Sequence, residues 1–233
     1  MAYFVTQEDV LSVRADAVVV CIENTMTVSE DAASQRLGEA GGVRFQEALR
    51  HKRFLPVGSA CAVDPSGLPF RHVLATGAPQ WRLGEANEFL VLHRCYQSLY
   101  ALAKKLDCSS VAMPFLSAAY YRFPQEDAVQ IAREEAECAG VETIFLAQTA
   151  ELYALSQKPY RKPQIVSYIG YYRDHAVFKL DNGLFARVDL RPEIRDVNIR
   201  PYVEACYYTE ADPSLPALPE REIARVRSIY ELI

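Results

Sequence analysis

The chain has 233 residues, of which 50% are hydrophobic and 24% are charged, and its net charge is −5. This composition excludes a disordered or fibrous chain, and no apolar run approaches the roughly 20 residues of a membrane-spanning helix. The acidic balance gives little support to nucleic acid as a partner. The start MAYFVTQEDV lacks the basic region and apolar core of a secretory signal, so we expect a cytoplasmic protein.

Cysteine and histidine give no sign of a metal centre. The six cysteines are scattered without CxxC pairs, and the four histidines do not fall beside them in a metal-ligand pattern. Cys21 would need a depressed pKa to act as a nucleophile, and the sequence shows no partner for it. We therefore expect free thiols and neither a metal nor a cofactor.

Apolar patterning in the first two thirds of the chain predicts an α/β fold. Short β-rich runs alternate with longer helical patterns, as in βαβ units with a sheet covered on both faces. A short helical pattern, TAELYALSQ, ends this part of the chain. The predicted strands are residues 2–5, 16–22, 58–64, 70–77, 110–114 and 142–148. The predicted helices are residues 30–39, 42–52, 85–106 and 124–138.

A change of composition predicts a domain boundary. The segment QKPYRKPQ, residues 157–164, is basic and contains proline, which is typical of a linker. We expect a first domain over residues 1–156 and a small β-rich domain over residues 165–233. The second domain has a hairpin signal at Asp181-Asn182-Gly183 and ends in an amphipathic helical segment, REIARVRSIYELI.

Four stretches in order along residues 1–156 carry a resemblance to a known family. They are EDVLSVRADAVVV, GSACAVDPSGLPF, FRHVLATGAPQW and PFLSAAYYRFP. Together they resemble the landmarks of the macrodomain, the ADP-ribose-binding module. The resemblance implies a three-layer α/β/α fold with a mixed sheet, to which the β-rich C-terminal domain and its helix are added. It also implies a ligand that is ADP-ribose or a related nucleotide derived from NAD.

The resemblance implies an adenine site and a phosphate loop. Asp9 would accept a hydrogen bond from the adenine amino group, and the backbone of Val10 would contact another ring nitrogen; the alternative for Asp9 is an ordinary turn or helix cap. The loop would hold a diphosphate by main-chain amides at the carboxyl edge of the sheet. The loop residues implied in binding are Ser117, Ala118, Ala119, Tyr120, Tyr121 and Arg122.

Two of these loop positions depart from the family pattern. Ala119 and Arg122 stand where the family has glycines, so we expect the loop to be reshaped or strained. The Arg122 guanidinium could grip phosphate oxygens, or it could form a surface ion pair with Glu126. Tyr121 aligns with the aromatic residue that packs along the distal ribose, although either tyrosine could simply fill the core.

The segment after the second strand departs further. The resemblance places Val20 and Glu23 at family asparagines, with Asn24 one residue late. Glu30 and Asp31 replace the glycine-rich loop, where carboxylates would repel a diphosphate. Glu23 and Asn24 are the candidate catalytic residues, with Glu23 as a general base. The plain alternative is a helix start capped by Ser29.

These departures leave the activity open at the level of the sequence. The first hypothesis is ADP-ribose binding with or without hydrolysis of an ADP-ribosyl bond, and the missing asparagines and glycines rank binding above catalysis. The ligand would be a free nucleotide or an ADP-ribosylated macromolecule. The alternative is an inactive interaction module that contacts a protein partner through the C-terminal domain, with Leu215 and Leu218 among the candidate contacts.

Overall fold

The computed structural model describes residues 3–23, 25–82, 88–119, 121–159, 164–172, 175–181, 185–189, 203–206 and 218–232. The chain divides into two compact units, Met1–Trp81 with Leu90–Tyr160 and Arg82–Phe89 with Arg161–Ile233. Across these described ranges, no helix is both long and apolar enough to cross a membrane. The same ranges contain no group of three or more His, Cys, Asp or Glu side chains that could hold a metal ion.

The first unit is built on a six-stranded mixed sheet. Its strands are β1 (Tyr3–Thr6), β2 (Ala17–Cys21), β3 (Ala60–Val63), β4 (His72–Thr76), β5 (Ser110–Pro114) and β6 (Glu142–Leu146). The strand order is β1-β6-β5-β2-β4-β3. All pairs are parallel except β3 with β4, which are antiparallel at one edge. Every strand overlaps a predicted one.

Helices follow the strands as the apolar periodicity predicts. They are α1 (Ala32–Arg50), α2 (Glu88–Lys105), α3 (Gln125–Ala139) and α4 (Ala150–Ser156). The two helices predicted at 30–39 and 42–52 correspond to the two parts of α1, which meet at a kink at Gly42, where φ is 58° and ψ is −154°. Thr149 caps α4 by accepting the Leu152 N–H at 3.1 Å.

Both faces of the sheet are covered, which gives the three-layer arrangement. All five residues of β2 are buried. Val18 and Ile144 belong to a cluster with Phe45 of α1. On the opposite face, because side chains alternate along a strand, Phe145 meets Tyr96 of α2 edge-on with ring centroids 6.3 Å apart. Burial of each such large apolar side chain stabilises the fold by roughly 1.5–3 kcal/mol.

The second unit contains a four-stranded antiparallel sheet and a helix. The elements are β7 (Ile165–Tyr172), β8 (His175–Leu180), β9 (Phe185–Asp189), β10 (Val203–Cys206) and α5 (Glu220–Leu232), with the sheet order β10-β9-β8-β7. Phe178 is buried and packs on Tyr168 at 5.5 Å, and the Tyr168 hydroxyl accepts the Leu218 N–H at 3.1 Å. Asn182 and Gly183 of the predicted turn, and Leu215, lie outside the described residues.

Candidate functional site

A cleft opens at the carboxyl edge of the sheet, where β2 and β5 end. Counted together with the solvent at its open side, its space is about 230 Å³, of which about 10 Å³ admits a water molecule. The residues that line it are Cys21, Asp31, Pro114, Phe115, Leu116, Ser117, Ala119 and Tyr121. Most of the lining therefore comes from the end of β5 and the loop that follows it, and the rest from the end of β2 and the start of α1.

Hydrogen bonds fix the backbone of the loop after β5. Ser117 has a left-handed φ of 63°, and its hydroxyl donates to the Pro79 carbonyl at 2.7 Å. The Leu116 N–H donates to the hydroxyl of Tyr96 at 2.9 Å. The Gln125 amide donates to the Ala118 carbonyl at 3.1 Å. The loop is thus anchored from two helices and from the segment after β4.

The expected strain is present at one of the two predicted positions. Arg122 is left-handed, with φ of 53°, whereas Ala119 is not among the described residues with positive φ. The second left-handed residue of the loop is Ser117, not Ala119. Arg122 is exposed, and in the part of the chain that the structure describes it forms no ion pair with Glu126. Tyr120 lies outside the described residues.

Tyr121 joins the two loops that border the cleft. Its hydroxyl donates to Oε1 of Glu23 at 2.6 Å, across 98 residues of sequence. Burial raises the pKa of Tyr121 well above its ordinary value, and the Glu23 carboxylate raises it further. The phenol therefore stays protonated at neutral pH and donates a hydrogen bond to Glu23. Asn24, the other predicted catalytic residue, lies outside the described residues.

Asp31 forms the centre of a buried polar network at the start of α1. Its carboxylate accepts hydrogen bonds from the Ser34 N–H at 3.0 Å, the Ser29 hydroxyl at 2.5 Å and the Gln148 side-chain amide at 2.9 Å. Asp31 is thus the N-cap of α1, and the interpretation of Ser29 as the cap is wrong. Ser29 supports the cap instead. Asp31 is only 8% exposed, so its charge enters the cleft wall with little water around it.

Cys21 lines the same cleft but is a poor nucleophile. Burial raises the pKa of its thiol well above the usual value, and the charge of Asp31 raises it further. The Cys21 N–H donates to the hydroxyl of Ser34 at 2.8 Å, which ties the end of β2 to α1. The thiol is therefore protonated and structural.

Asp9 lies in a turn after β1 and is not part of the cleft lining. Its Oδ1 accepts the Leu11 N–H at 2.8 Å, and its Oδ2 accepts from Nε of Arg36 at 3.0 Å. The Leu11 N–H holds the pKa of Asp9 below its usual range, with help from Arg36. Val10 beside it is buried. Its partner Arg36 belongs to α1, and the N-cap of that helix, Asp31, lines the cleft.

Comparison with known proteins identifies the class of this fold. The model of the Macro domain matches residues 23–132. The Macro domain-containing protein mll7730 of Mesorhizobium japonicum is 32% identical over 163 residues, covering 66% of this chain and 92% of that protein. An O-acetyl-ADP-ribose deacetylase of Escherichia fergusonii is 32% identical over 132 residues, covering 55% of this chain and 74% of that protein. The chain belongs to the macro domain family.

Solved structures show the same fold. The Oceanobacillus iheyensis macrodomain with ADP superposes with a TM-score of 0.61 at 19% identity and covers 66% of this chain and 86% of that chain. The Trypanosoma brucei macrodomain in complex with ADP-ribose gives a TM-score of 0.58 at 18% identity, over 66% of this chain and 67% of that one. The macrodomain fold expected from the resemblance is thereby confirmed.

Proposed function

We propose that residues 1–156 bind ADP-ribose or a related NAD-derived nucleotide, with residues 157–164 as a linker to a separate domain at 165–233. The observation that carries this proposal is the cleft at the carboxyl edge of the sheet, lined largely by residues 114–117 with Ala119 and Tyr121. Loops that leave a parallel strand at this edge hold phosphate groups by main-chain amides. We also propose that the protein acts in the cytoplasm.

The cleft accounts for one part of the ligand. The space in it that admits a water molecule is about 10 Å³, room for roughly one water, so a diphosphate requires the cleft to widen. In our proposal the diphosphate takes the cleft beside Ser117, Ala118 and Ala119, and the adenosine extends along the sheet edge to Asp9. A carboxylate has about four acceptor positions, and Leu11 and Arg36 use two of those of Asp9, so Asp9 retains capacity for the adenine amino group.

Binding ranks above hydrolysis in this proposal. If the chain does cleave an ADP-ribosyl bond, Glu23 is the proposed general base, with Asn24 beside it. One Glu23 oxygen already accepts the Tyr121 hydroxyl at 2.6 Å, which orients the carboxylate and leaves the other oxygen for a water molecule. Arg122, which is exposed and unpaired with Glu126, is the proposed side-chain contact to the phosphates.

A specific observation favours the alternative of an inactive interaction module. The Asp31 carboxylate lies in the wall of the cleft, where it repels an anion. In that case the macrodomain shell has lost its ligand, and the unit containing β7–β10 and α5 contacts a protein partner. The two proposals differ in one measurable property, which is whether ADP-ribose stabilises the chain.

Thermal unfolding with and without ADP-ribose tests the proposal. The single tryptophan, Trp81, packs on Phe123 at 5.1 Å, so its fluorescence reports on the first unit. ADP-ribose at about 100 times its dissociation constant adds about 2.7 kcal/mol, which raises Tm by roughly 5–10 °C. No shift at millimolar ADP-ribose would favour the interaction module.

The chain offers a matched control for the adenine contact. Asp64 accepts the Ser66 N–H at 2.8 Å in an exposed turn like that of Asp9, but it follows the last residue of β3, at the opposite edge of the sheet. Asp9→Asn should weaken ADP-ribose binding about 10-fold, the cost of one charge-assisted hydrogen bond, and Asp64→Asn should not. If the chain released ADP-ribose from ADP-ribosylated protein and the Glu23→Gln variant did not, hydrolysis would be established in addition to binding.

A further inference from the structure

The segment between α1 and β3 presents a basic and aromatic surface. Arg50, His51, Lys52 and Arg53 are consecutive and exposed. Phe54 follows them with 66% of its surface exposed, and Val57 is 45% exposed. Large exposed hydrophobic side chains beside clustered cations are uncommon on a chain with a net charge of −5 and point to an interaction surface. We call residues 50–57 the basic loop.

The backbone holds the aromatic ring of the basic loop outward. Arg53 has a left-handed φ of 62°, which costs a residue with a Cβ about 1 kcal/mol or more. The Phe54 N–H donates to the Lys52 carbonyl at 2.7 Å, which tightens this turn. At the end of the loop, Gly58 donates to the Gly77 carbonyl at 3.2 Å and accepts the Ser98 hydroxyl at 2.8 Å. Phe54 is therefore presented by an anchored loop.

The cations of the basic loop are available for a partner. Within the described ranges, Arg50, Lys52 and Arg53 take part in no ion pair. Arg94 of α2 is also exposed and unpaired there, and it lies against the end of the loop, since a Cβ built on Gly58 would be 3.5 Å from that of Arg94. Four exposed cations with no ion pair in the described ranges thus lie in or beside the loop that carries the exposed Phe54.

We propose that the basic loop binds single-stranded nucleic acid. Cations that contact successive phosphates, with an aromatic ring on which a base stacks, are the two elements of such a surface. An acidic protein segment would use the cations but not a strained turn that exposes Phe54. The expectation against nucleic acid rested on the net charge of the whole chain, which averages out a local cluster of this kind.

The register of the sheet places the basic loop near the cleft. Ala60, the first residue of β3, pairs with Thr76, the last residue of β4, so the loop enters the sheet at its carboxyl edge. Two strand steps, or about 10 Å, separate β3 from β2. A stacked strand covers that distance with about three nucleotides at 3.4 Å each. The surface does not depend on the proposed nucleotide binding in the cleft.

Fluorescence anisotropy of a labelled oligothymidylate of about 12 nucleotides, titrated with the full chain, tests the proposal. Binding should weaken as salt rises from about 50 to 200 mM. Lys52→Gln/Arg53→Gln should lower the slope of log K against log salt by about 1.4, at about 0.7 per phosphate contact. Phe54→Ala should weaken binding at least about 5-fold through lost stacking.

Lys104→Gln/Lys105→Gln is the matched control, because these exposed lysines end α2 at the opposite edge of the sheet. It should bind as the unchanged chain does. The proposal would be overturned if the chain bound no oligonucleotide at about 50 mM salt, or if the control variant lost as much affinity as the basic-loop variants. It would also be overturned if polyglutamate displaced the protein as well as an unlabelled oligonucleotide does. The ADP-ribose-induced rise in Tm should persist in both basic-loop variants, which separates failure here from failure of the nucleotide proposal and shows that the variants fold.

Discussion

Replacement of Asp31 by asparagine tests whether the cleft receives an anion. Asn keeps the N-cap, because its side-chain oxygen can accept the Ser34 N–H as Asp31 now does at 3.0 Å. It removes the single negative charge that the network of Ser29, Ser34 and Gln148 buries in the cleft wall. Asp31→Asn should therefore bind ADP-ribose more tightly than the unchanged chain does.

The distance between the phosphates and Asp31 sets the magnitude. We take a diphosphate at the mouth of the cleft to lie about 8 Å, or one Debye length, from the Asp31 carboxylate. Two unit charges at about 8 Å interact by about 2 kcal/mol at an effective dielectric constant of about 20. Screening over a Debye length of about 8 Å lowers this to roughly 1 kcal/mol per charge. A diphosphate carries two charges, so the expected gain is about 1.5–2 kcal/mol, or about 10- to 30-fold in affinity.

Titration calorimetry with ADP-ribose measures the change. Glu30→Gln is the control, because Glu30 is the exposed neighbour of Asp31 and does not line the cleft; it should alter affinity less than about 2-fold. Asp31→Asn should also cost about 1 kcal/mol of folding stability, since one acceptor oxygen of the network is lost. Weaker binding by a folded Asp31→Asn variant would refute the reasoning and make Asp31 an acceptor for a ligand hydroxyl.

Three further predictions follow from the backbone, a carboxylate and the thiols. Arg122→Gly should raise the free energy of unfolding in urea by about 0.5–1 kcal/mol by relieving a left-handed φ of 53°; a decrease would show that the guanidinium has a stabilising contact. Because the pKa of Asp9 is lowered in the fold, the ionised carboxylate stabilises the fold above about pH 4, and this stabilisation is lost as pH falls through the folded pKa. The urea midpoints of Asp9→Asn and the unchanged chain should therefore converge in acid. A difference between them that stays constant with pH would contradict this. Burial raises the pKa of the Cys95 thiol to about 11, so Cys95 and the buried Cys21 should react with a thiol reagent only after unfolding. Exposed Cys138 should react at once. Mass spectrometry that finds Cys21 modified before Cys138 would disprove this prediction.

The strands and the order of the family landmarks could be predicted because they depend on local patterns. Each strand of the first unit has four or five mostly apolar residues, and burial on both faces of β2 follows from its unbroken AVVVC sequence. The kink at Gly42 agrees with the two helices predicted on either side of it. The sequence could not show that Leu37 and Phe45, one from each part of α1, pack in the same core.

The contacts of the candidate site could not be predicted, because they join distant segments. The Tyr121 hydroxyl meets Glu23 across 98 residues, and the Gln148 amide meets Asp31 across 117. The sequence indicated carboxylates in the segment 29–31 but not which one enters the cleft wall. The left-handed position at Ser117 was also missed, since its hydroxyl is secured by the carbonyl of Pro79, 38 residues away.

The most direct test of the account is a crystal structure of the chain soaked with ADP-ribose. The account predicts the diphosphate in the cleft, within hydrogen-bond distance of the main-chain amides of Ser117 and Ala119, and the adenine amino group beside the carboxylate of Asp9. A nucleotide bound elsewhere on the chain, or a cleft that stays closed by Asp31 and Tyr121 at saturating ADP-ribose, would contradict it.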